Sequence, residues 1–179
     1  TYSYLYPKLT DEMGNAVDGG PDVYHDGDAA AESALHFVDL GFTAIKQDPV
    51  GPYSFQGGRE LSLVELDRAE YSIRRIREAV GNRADILFGT HGQMTTASAI
   101  RLAKRLEPYD PLWFEEPCPP DQLGGLRSVA ASTSIPVAAG ERLTTRKEFH
   151  EILQAGVSIL QPNVGRSGGL WETKKIAAL

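Results

Sequence analysis

Charged and polar side chains stand where a series of short apolar segments end. The residues at five successive ends are Lys46-Gln47-Asp48, Gly89-Thr90-His91, Glu115-Glu116, Gly140-Glu141-Arg142 and Gln161-Pro162-Asn163. Carboxylates bind hard cations, and a lysine or a histidine can move protons near neutral pH. Polar residues also follow strands merely because loops are solvated, so one such position is weak support for a site. Five such positions in series, however, indicate a functional site.

The carboxylates suggest what that chemistry is. Glu115 and Glu116 directly follow Trp113 and Phe114, and a carboxylate among bulky apolar residues is costly unless it is paired or bound to a metal. Oxygen ligands without thiols suit Mg²⁺ with water completing its shell. Such an ion could hold a substrate carboxylate while the neighbouring C–H loses its proton. Lys and His residues at the strand ends are suitable carriers for that proton.

Strand-like and helix-like segments alternate along the chain and would position these groups. Strands are predicted at residues 1–6, 42–46, 84–88, 112–114, 135–139 and 158–161. Helices are predicted at residues 28–40, 62–80, 95–106, 122–131, 145–154 and 169–179. Two of these helices open with a capping box, Ser62 with Glu65 and Thr145 with Glu148, and Asp28 is the predicted cap of the first. Residues 7–26 are predicted to form a long loop.

Strict alternation predicts a parallel sheet covered by helices, in the α/β class. The candidates are an open doubly wound sheet and a (β/α)8 TIM-type barrel. The strands are short and no glycine-rich fingerprint follows the first, which favours the barrel. At about 30 residues for each βα unit, the 179 residues hold six of the eight units. We therefore predict that residues 1–179 form one partial barrel domain, with all strand ends at one mouth.

Composition excludes several other classes of protein. The chain is 41% apolar, which is too much for disorder, and 18 Lys and Arg against 24 Asp and Glu leave a net charge of −6. Such a chain is a poor partner for nucleic acid or an anionic membrane, and no apolar stretch approaches the roughly 20 residues of a membrane span. The single cysteine, Cys118, excludes a disulfide framework. A cytoplasmic protein acting on a small molecule is expected.

The segments AIKQDP, GTHGQ, WFEEP, AAGERL and ILQPN, followed by paired glycines, resemble the enolase superfamily. More narrowly, they resemble its mandelate racemase/muconate lactonizing enzyme group and the sugar-acid dehydratases of the galactonate and gluconate type. This resemblance implies Mg²⁺-dependent removal of the proton α to a carboxylate through an enediolate. Loss of the β-hydroxyl would then give a 2-keto-3-deoxy acid. It also implies an acid-sugar substrate and assembly into a homo-oligomer.

The resemblance also assigns roles to the strand-end residues. Glu115 and Glu141 match two of three metal ligands, while His91 and Lys46 match catalytic proton carriers. The residues expected to contact substrate are Asp48, Arg142, Asn163 and Glu116.

Three positions depart from the family pattern. Gly89 stands where an acidic ligand is expected, Asp48 replaces the second lysine of racemases, and Asn163 replaces an aspartate that orients a histidine. Racemase, epimerase or cycloisomerase action therefore stays as an alternative that Asp48 disfavours. Gly89 and Asn163 support a catalytically silent barrel as a third possibility.

The family's capping domain and last two βα units are not in this sequence, which begins at Thr1 rather than at a methionine. Six units would leave unpaired strand edges and an exposed interior. We therefore expect the isolated polypeptide to be neither stable nor active, and to be part of a longer chain or to need partner chains.

Overall fold

A computed structural model describes residues 1–6, 21–53 and 58–179. Within these ranges the strands are β1 (Ser3–Tyr4), β2 (Ala44–Gln47), β3 (Asp85–Gly89), β4 (Trp113–Glu115), β5 (Val137–Ala139) and β6 (Ile159–Leu160). The helices are α1 (Gly27–Asp39), α2 (Leu63–Val80), α3 (Thr96–Leu106), α4 (Leu123–Ala130), α5 (Arg146–Gln154) and α6 (Leu170–Ile176). Most of the predicted loop at residues 7–26 lies outside the described residues.

The strands form one parallel sheet in the order β1-β2-β3-β4-β5-β6. A doubly wound sheet reverses its strand order at a switch point, whereas a barrel adds each strand beside the previous one. The sequential order therefore confirms the (β/α)8 prediction, with six units of the barrel present. The strand bounds differ from the predicted ones by one or two residues at most ends. No helix in the described part of the chain is long and apolar enough to cross a membrane.

Local sequence sets the helices much as predicted. The side chain and backbone of Ser62 and Glu65 cap α2 reciprocally, and Thr145 with Glu148 does the same for α5. The cap predicted for α1 is wrong. Asp26 occupies that position and accepts hydrogen bonds from the backbone N–H groups of residues 28 and 29, because the helix begins one residue earlier than its apolar pattern indicates.

Alternation along the strands sorts side chains between two faces of the sheet. The outward face packs on the helices through rings such as Phe88 and Phe114, which are buried and stack with centroids 4.5 Å apart. Gln47 also faces outward, where its amide donates to Val23 O and to the Ser72 hydroxyl. The opposite, inward face therefore receives the residues one position away, which include Lys46.

Candidate active site

A buried ion pair lies at the centre of the inward face. Lys46 on β2 donates from Nζ to Oε2 of Glu115 on β4, and both residues are only 4% exposed. The same carboxylate oxygen accepts from Trp113 Nε1 at 3.2 Å and from Gln161 Nε2 at 2.8 Å. Charged groups inside a protein are stable only when they are paired and hydrogen-bonded in this way.

Gly89 lets this pair form across the intervening strand β3. The glycine is in register with Glu115. A Cβ atom at position 89 would lie 3.2 Å from Lys46 Cε and 3.2 Å from Asp48 Oδ1. The side chains of Lys46 and Asp48 therefore occupy the space next to the residue that the family pattern would make acidic, and a side chain there would crowd both.

Aromatic side chains from β1 border the lysine and the aspartate. The Tyr4 hydroxyl donates to Asp48 Oδ1. The Lys46 ammonium lies 5.0 Å from the centroid of the Tyr4 ring, within the range of a cation–π contact. Burial and the charge of Asp48 raise the pKa of the Tyr4 hydroxyl, so the phenol stays protonated and keeps donating. Tyr6 stacks on Tyr4 with centroids 4.2 Å apart.

Asp48 is buried at 2% exposure beside His91. Burial raises the pKa of the Asp48 carboxyl to about 6, against the opposing effects of the Tyr4 hydrogen bond and the charges of His91 and Lys46. Asp48 Oδ2 lies 3.8 Å from His91 Nδ1. A carboxylate and an imidazole at this separation can exchange or share protons after a small movement of either side chain.

The backbone of His91 is held in an unusual conformation. His91 and Glu116 both have positive φ, 52° and 44°, which costs on the order of 1–3 kcal/mol for residues other than glycine. Their loops are joined by a 2.7 Å bond from Gly92 N–H to Glu116 O. Arg142 adds a bond from its guanidinium to His91 O at 3.0 Å. Such strained positions are concentrated at functional sites.

Buried Glu116 forms a second ion pair, with the partly exposed Arg142. The guanidinium contacts both carboxylate oxygens, with Nε 3.1 Å from Oε1 and Nη2 2.8 Å from Oε2. Burial raises the pKa of Glu116, the Arg142 charge opposes that rise, and the negative charge of Glu141 adds to it. Gly92 has φ +63°, and a Cβ there would overlap the Arg142 side chain, so the pair requires glycine at this position.

The structure brings together most of the residues predicted from the strand ends. Lys46, Asp48, His91, Glu115, Glu116 and Arg142 form connected contacts, and Glu141 acts on Glu116 electrostatically. Asn163 does not join them. It is exposed, and its amide oxygen accepts from Arg166 N–H at 3.1 Å within the loop after β6.

Two residues of the cluster were given no role from the sequence. Gln161 donates to Glu115, and Tyr4 donates to Asp48. The place of Gln161 in the cluster could have been predicted, because it lies two residues beyond Ile159 and so shares its inward face by strand alternation. Tyr4 carried no such signal, since an aromatic residue in a strand is ordinarily packing.

The carboxylates can be tested as ligands for a divalent cation. Among the described residues, no group of three or more His, Cys, Asp and Glu side chains is arranged to hold a metal ion. Mg²⁺, however, usually binds through one or two protein carboxylates and keeps waters or substrate oxygens elsewhere. Glu115 at the end of β4 and Glu141 just after the neighbouring strand β5 supply that kind of donor set, so their chemistry fits the ion.

A family model for the enolase C-terminal domain matches residues 29–179. The chain belongs to this enolase C-terminal domain-like family. It is 37% identical over 179 residues to a D-gluconate dehydratase of Thermoproteus tenax, covering 99% of this chain and 35% of that protein. A D-xylonate dehydratase of Haloferax volcanii is 36% identical over 183 residues, covering 99% of this chain and 44% of that protein.

Solved structures agree with this assignment. A mandelate racemase/muconate lactonizing enzyme from Jannaschia sp. CCS1 is 52% identical, with a TM-score of 0.88, over 99% of this chain and 44% of that one. The resemblance to the enolase superfamily read from the sequence is thus confirmed. The chain spans less than half the length of the enolase-family relatives that it matches.

Proposed function

We propose that this enolase-family barrel, residues 1–179, is part of the catalytic domain of an acid-sugar dehydratase, a hydro-lyase. The observation that carries the proposal is the cluster of buried Lys46, Glu115 and Asp48 with the partly exposed His91 at the carboxyl end of the strands. Charged groups buried together there are costly for stability, and a carboxyl in such a position with a raised pKa, as Asp48 has, is characteristic of catalysis. The names of the gluconate and xylonate dehydratase relatives support the substrate class.

The proposed reaction breaks the C–H bond α to a carboxylate and the C–O bond of the β-hydroxyl. Between them, Lys46 and His91 accept the α proton and deliver a proton to the departing hydroxyl, so that water leaves and an enol remains, which becomes the 2-keto-3-deoxy acid. Lysine and histidine side chains are among the groups that transfer protons in general acid–base catalysis. Burial of Lys46 among Tyr4, Trp113 and Glu115 keeps water from its ammonium group.

Glu115 and Glu141 are the residues that would hold Mg²⁺. When bound, the ion would supply positive charge to the substrate carboxylate as electron density accumulates there. Glu116 and Arg142 are the proposed substrate contacts, with Arg142 also holding the loop of His91 in place.

The test is an assay of the full-length protein with Mg²⁺ against a panel of acid sugars, detecting 2-keto-3-deoxy acids. We expect His91→Ala and Glu141→Gln to lower kcat by about 100-fold or more, and Glu141→Gln to weaken Mg²⁺ binding in calorimetry. Glu78→Gln, at an exposed position on α2, is the matched control and should keep the wild-type rate.

The alternatives give different results in the same experiment. Exchange of the α proton in D₂O without loss of water would assign epimerisation instead of dehydration. Absence of Mg²⁺ binding together with absence of turnover would point to a silent barrel. Wild-type rates in both site variants would contradict the roles assigned to His91 and Glu141.

A further inference from the structure

One ring nitrogen of His91 is buried without a hydrogen bond to the described residues. This atom, Nδ1, lies 3.8 Å from Asp48 Oδ2. A buried polar nitrogen that lacks a partner is costly for stability, so a nearby acceptor that it can reach is significant. The aspartate directly follows β2 and the histidine follows the neighbouring strand β3, which means that the sheet itself brings the two together.

Asp48 is oriented so that Oδ2 is the oxygen available to the histidine. The Tyr4 hydroxyl donates to the other oxygen, Oδ1. The space beside that oxygen is open only because position 89 is glycine, whose missing Cβ would lie 3.2 Å from it. The carboxylate is therefore held from the β1 side and directed towards His91.

The histidine is also anchored, through its backbone. Its carbonyl accepts from Arg142 at 3.0 Å, and the next residue, Gly92, bonds to Glu116 O at 2.7 Å. A side-chain movement of about 1 Å brings Nδ1 and Oδ2 to hydrogen-bond distance. Catalytic hydrogen bonds are commonly this long before substrate binds.

We propose that Asp48 is a positioning residue whose Oδ2 accepts the Nδ1–H of His91. This bond fixes the ring tautomer and leaves Nε2 to carry the proton. When Nε2 takes a proton, Nδ1–H is retained, the ring becomes imidazolium, and Asp48 remains a carboxylate that stabilises the new charge. The use of Nε2 rests on the proposed function, whereas the pairing of the two side chains does not.

Electrostatics around Asp48 are consistent with an ionised acceptor. Tyr4, Lys46, His91 and Glu115 are the titratable groups that act on it. Lys46 and His91 favour the carboxylate, while burial and Glu115 disfavour it, and the resulting pKa of about 6 leaves Asp48 charged at pH 8.

The pairing is tested by the tautomer of His91 in the full-length protein, labelled with ¹⁵N-histidine and studied by NMR at pH 8. We expect the wild type to hold the Nδ1–H tautomer at His91, whose resonances are assigned by their loss in His91→Gln. In Asp48→Asn the amide oxygen takes the bond from Tyr4, and the NH₂ group then faces Nδ1. Because Nδ1 must become an acceptor, the proton should move to Nε2.

The chain offers a matched control in a second His–Asp pair. His25 Nδ1 lies 2.9 Å from Asp22 Oδ2 at the surface. Asp22→Asn should change the His25 signals and leave the His91 tautomer as in the wild type. A His91 that holds the Nε2–H tautomer in the wild type would overturn the pairing without any variant, even if Asp48→Asn fails to fold.

Kinetics separate the pairing from its use in catalysis. We expect Asp48→Asn to lower kcat of the dehydration by about 10- to 100-fold with little change in KM. A switched tautomer with an unchanged kcat would keep the pairing and overturn the role of His91 in proton transfer. An unchanged tautomer in folded Asp48→Asn would overturn the pairing itself.

Discussion

Ion pairs at the mouth of the barrel differ from those on its outer helices chiefly in exposure. The Lys46 and Glu115 side chains are 5% and 6% exposed. Arg105 and Asp67, which join α3 to α2, are 31% and 64% exposed. Water screens the outer pair, whereas the inner pair has lost nearly all of its hydration.

This difference in exposure means that the two kinds of pair differ in what they cost the fold. Burying a carboxylate and an ammonium costs several kcal/mol per ion, and apolar residues of similar volume would often be as stable or more stable. The same region holds His91 and Glu116 at positive φ. The mouth of the barrel is therefore the less optimised part of the fold, as expected where side chains are arranged for chemistry.

The largest expected effect comes from breaking the inner pair on one side. Glu115→Gln leaves the Lys46 ammonium buried without its counter-charge, and we expect a loss of about 3–5 kcal/mol in the free energy of unfolding. Urea denaturation of the full-length protein measures it. The double variant Lys46→Met/Glu115→Gln should recover much of the loss. A loss below about 1 kcal/mol in the single variant would mean that the pair is hydrated like the outer ones.

Asp48 gives the next largest effect, which depends on pH. Its pKa is raised from 3.8 to about 6. The folded state therefore binds a proton more tightly than the unfolded state, and the resulting stability is full below pH 4 and lost as pH rises through 6. Asp48→Asn avoids that loss. We expect the free energy of unfolding of Asp48→Asn to exceed that of the wild type by about 2–3 kcal/mol above pH 6. Near pH 4 the two values should be equal.

The measurement is the difference in unfolding free energy between the two proteins from pH 4 to pH 8. Asp85→Asn, at the exposed opposite end of β3, is the control and should show no such pH-dependent gain. A constant difference across this range would indicate that the Asp48 carboxyl is hydrated in the folded protein.

Much of the fold could be predicted because its signals are local. The capping boxes at Ser62 and Thr145 formed as predicted, and alternation of strands and helices sufficed for a sequential parallel sheet. Helix α1 shows the limit of such signals, since Asp26 and Asp28 are both good caps and only the hydrogen bonds distinguish them.

The site was predictable as a set of strand ends but not as a set of partners. The bond from Lys46 to Glu115 passes over β3 and depends on the empty space at Gly89. From the sequence, Gly89 was interpreted only as the absence of a metal ligand. Asn163 was expected near the others because it follows β6. In the loop after β6, the Asn163 amide oxygen instead accepts from the Arg166 N–H. Backbone geometry, rather than residue type, determines this arrangement.

A smaller effect is expected at a helix cap on the outer layer. Glu148→Ala removes the carboxylate that accepts from the backbone of Thr144 and Thr145, and should cost about 1 kcal/mol at pH 7. These bonds lower the pKa of Glu148 to about 2. The contribution is therefore present above pH 4.5 and lost as pH falls through 2. Chemical denaturation at pH 7 and at pH 2 measures this contribution to stability, with Glu151→Ala on the same helix as the control.

The smallest effect is expected from the exposed pair on α2 and α3. Asp67→Asn removes one of two carboxylates that contact Arg105, and Glu70 keeps the other contact at 2.9 Å. Because both groups remain hydrated, the unfolding midpoint should not move beyond experimental error, and added salt should not change that result. If this variant instead lost as much stability as Glu115→Gln, exposure would not be what separates the two kinds of ion pair, and the functional reading of the inner pair would lose its thermodynamic basis.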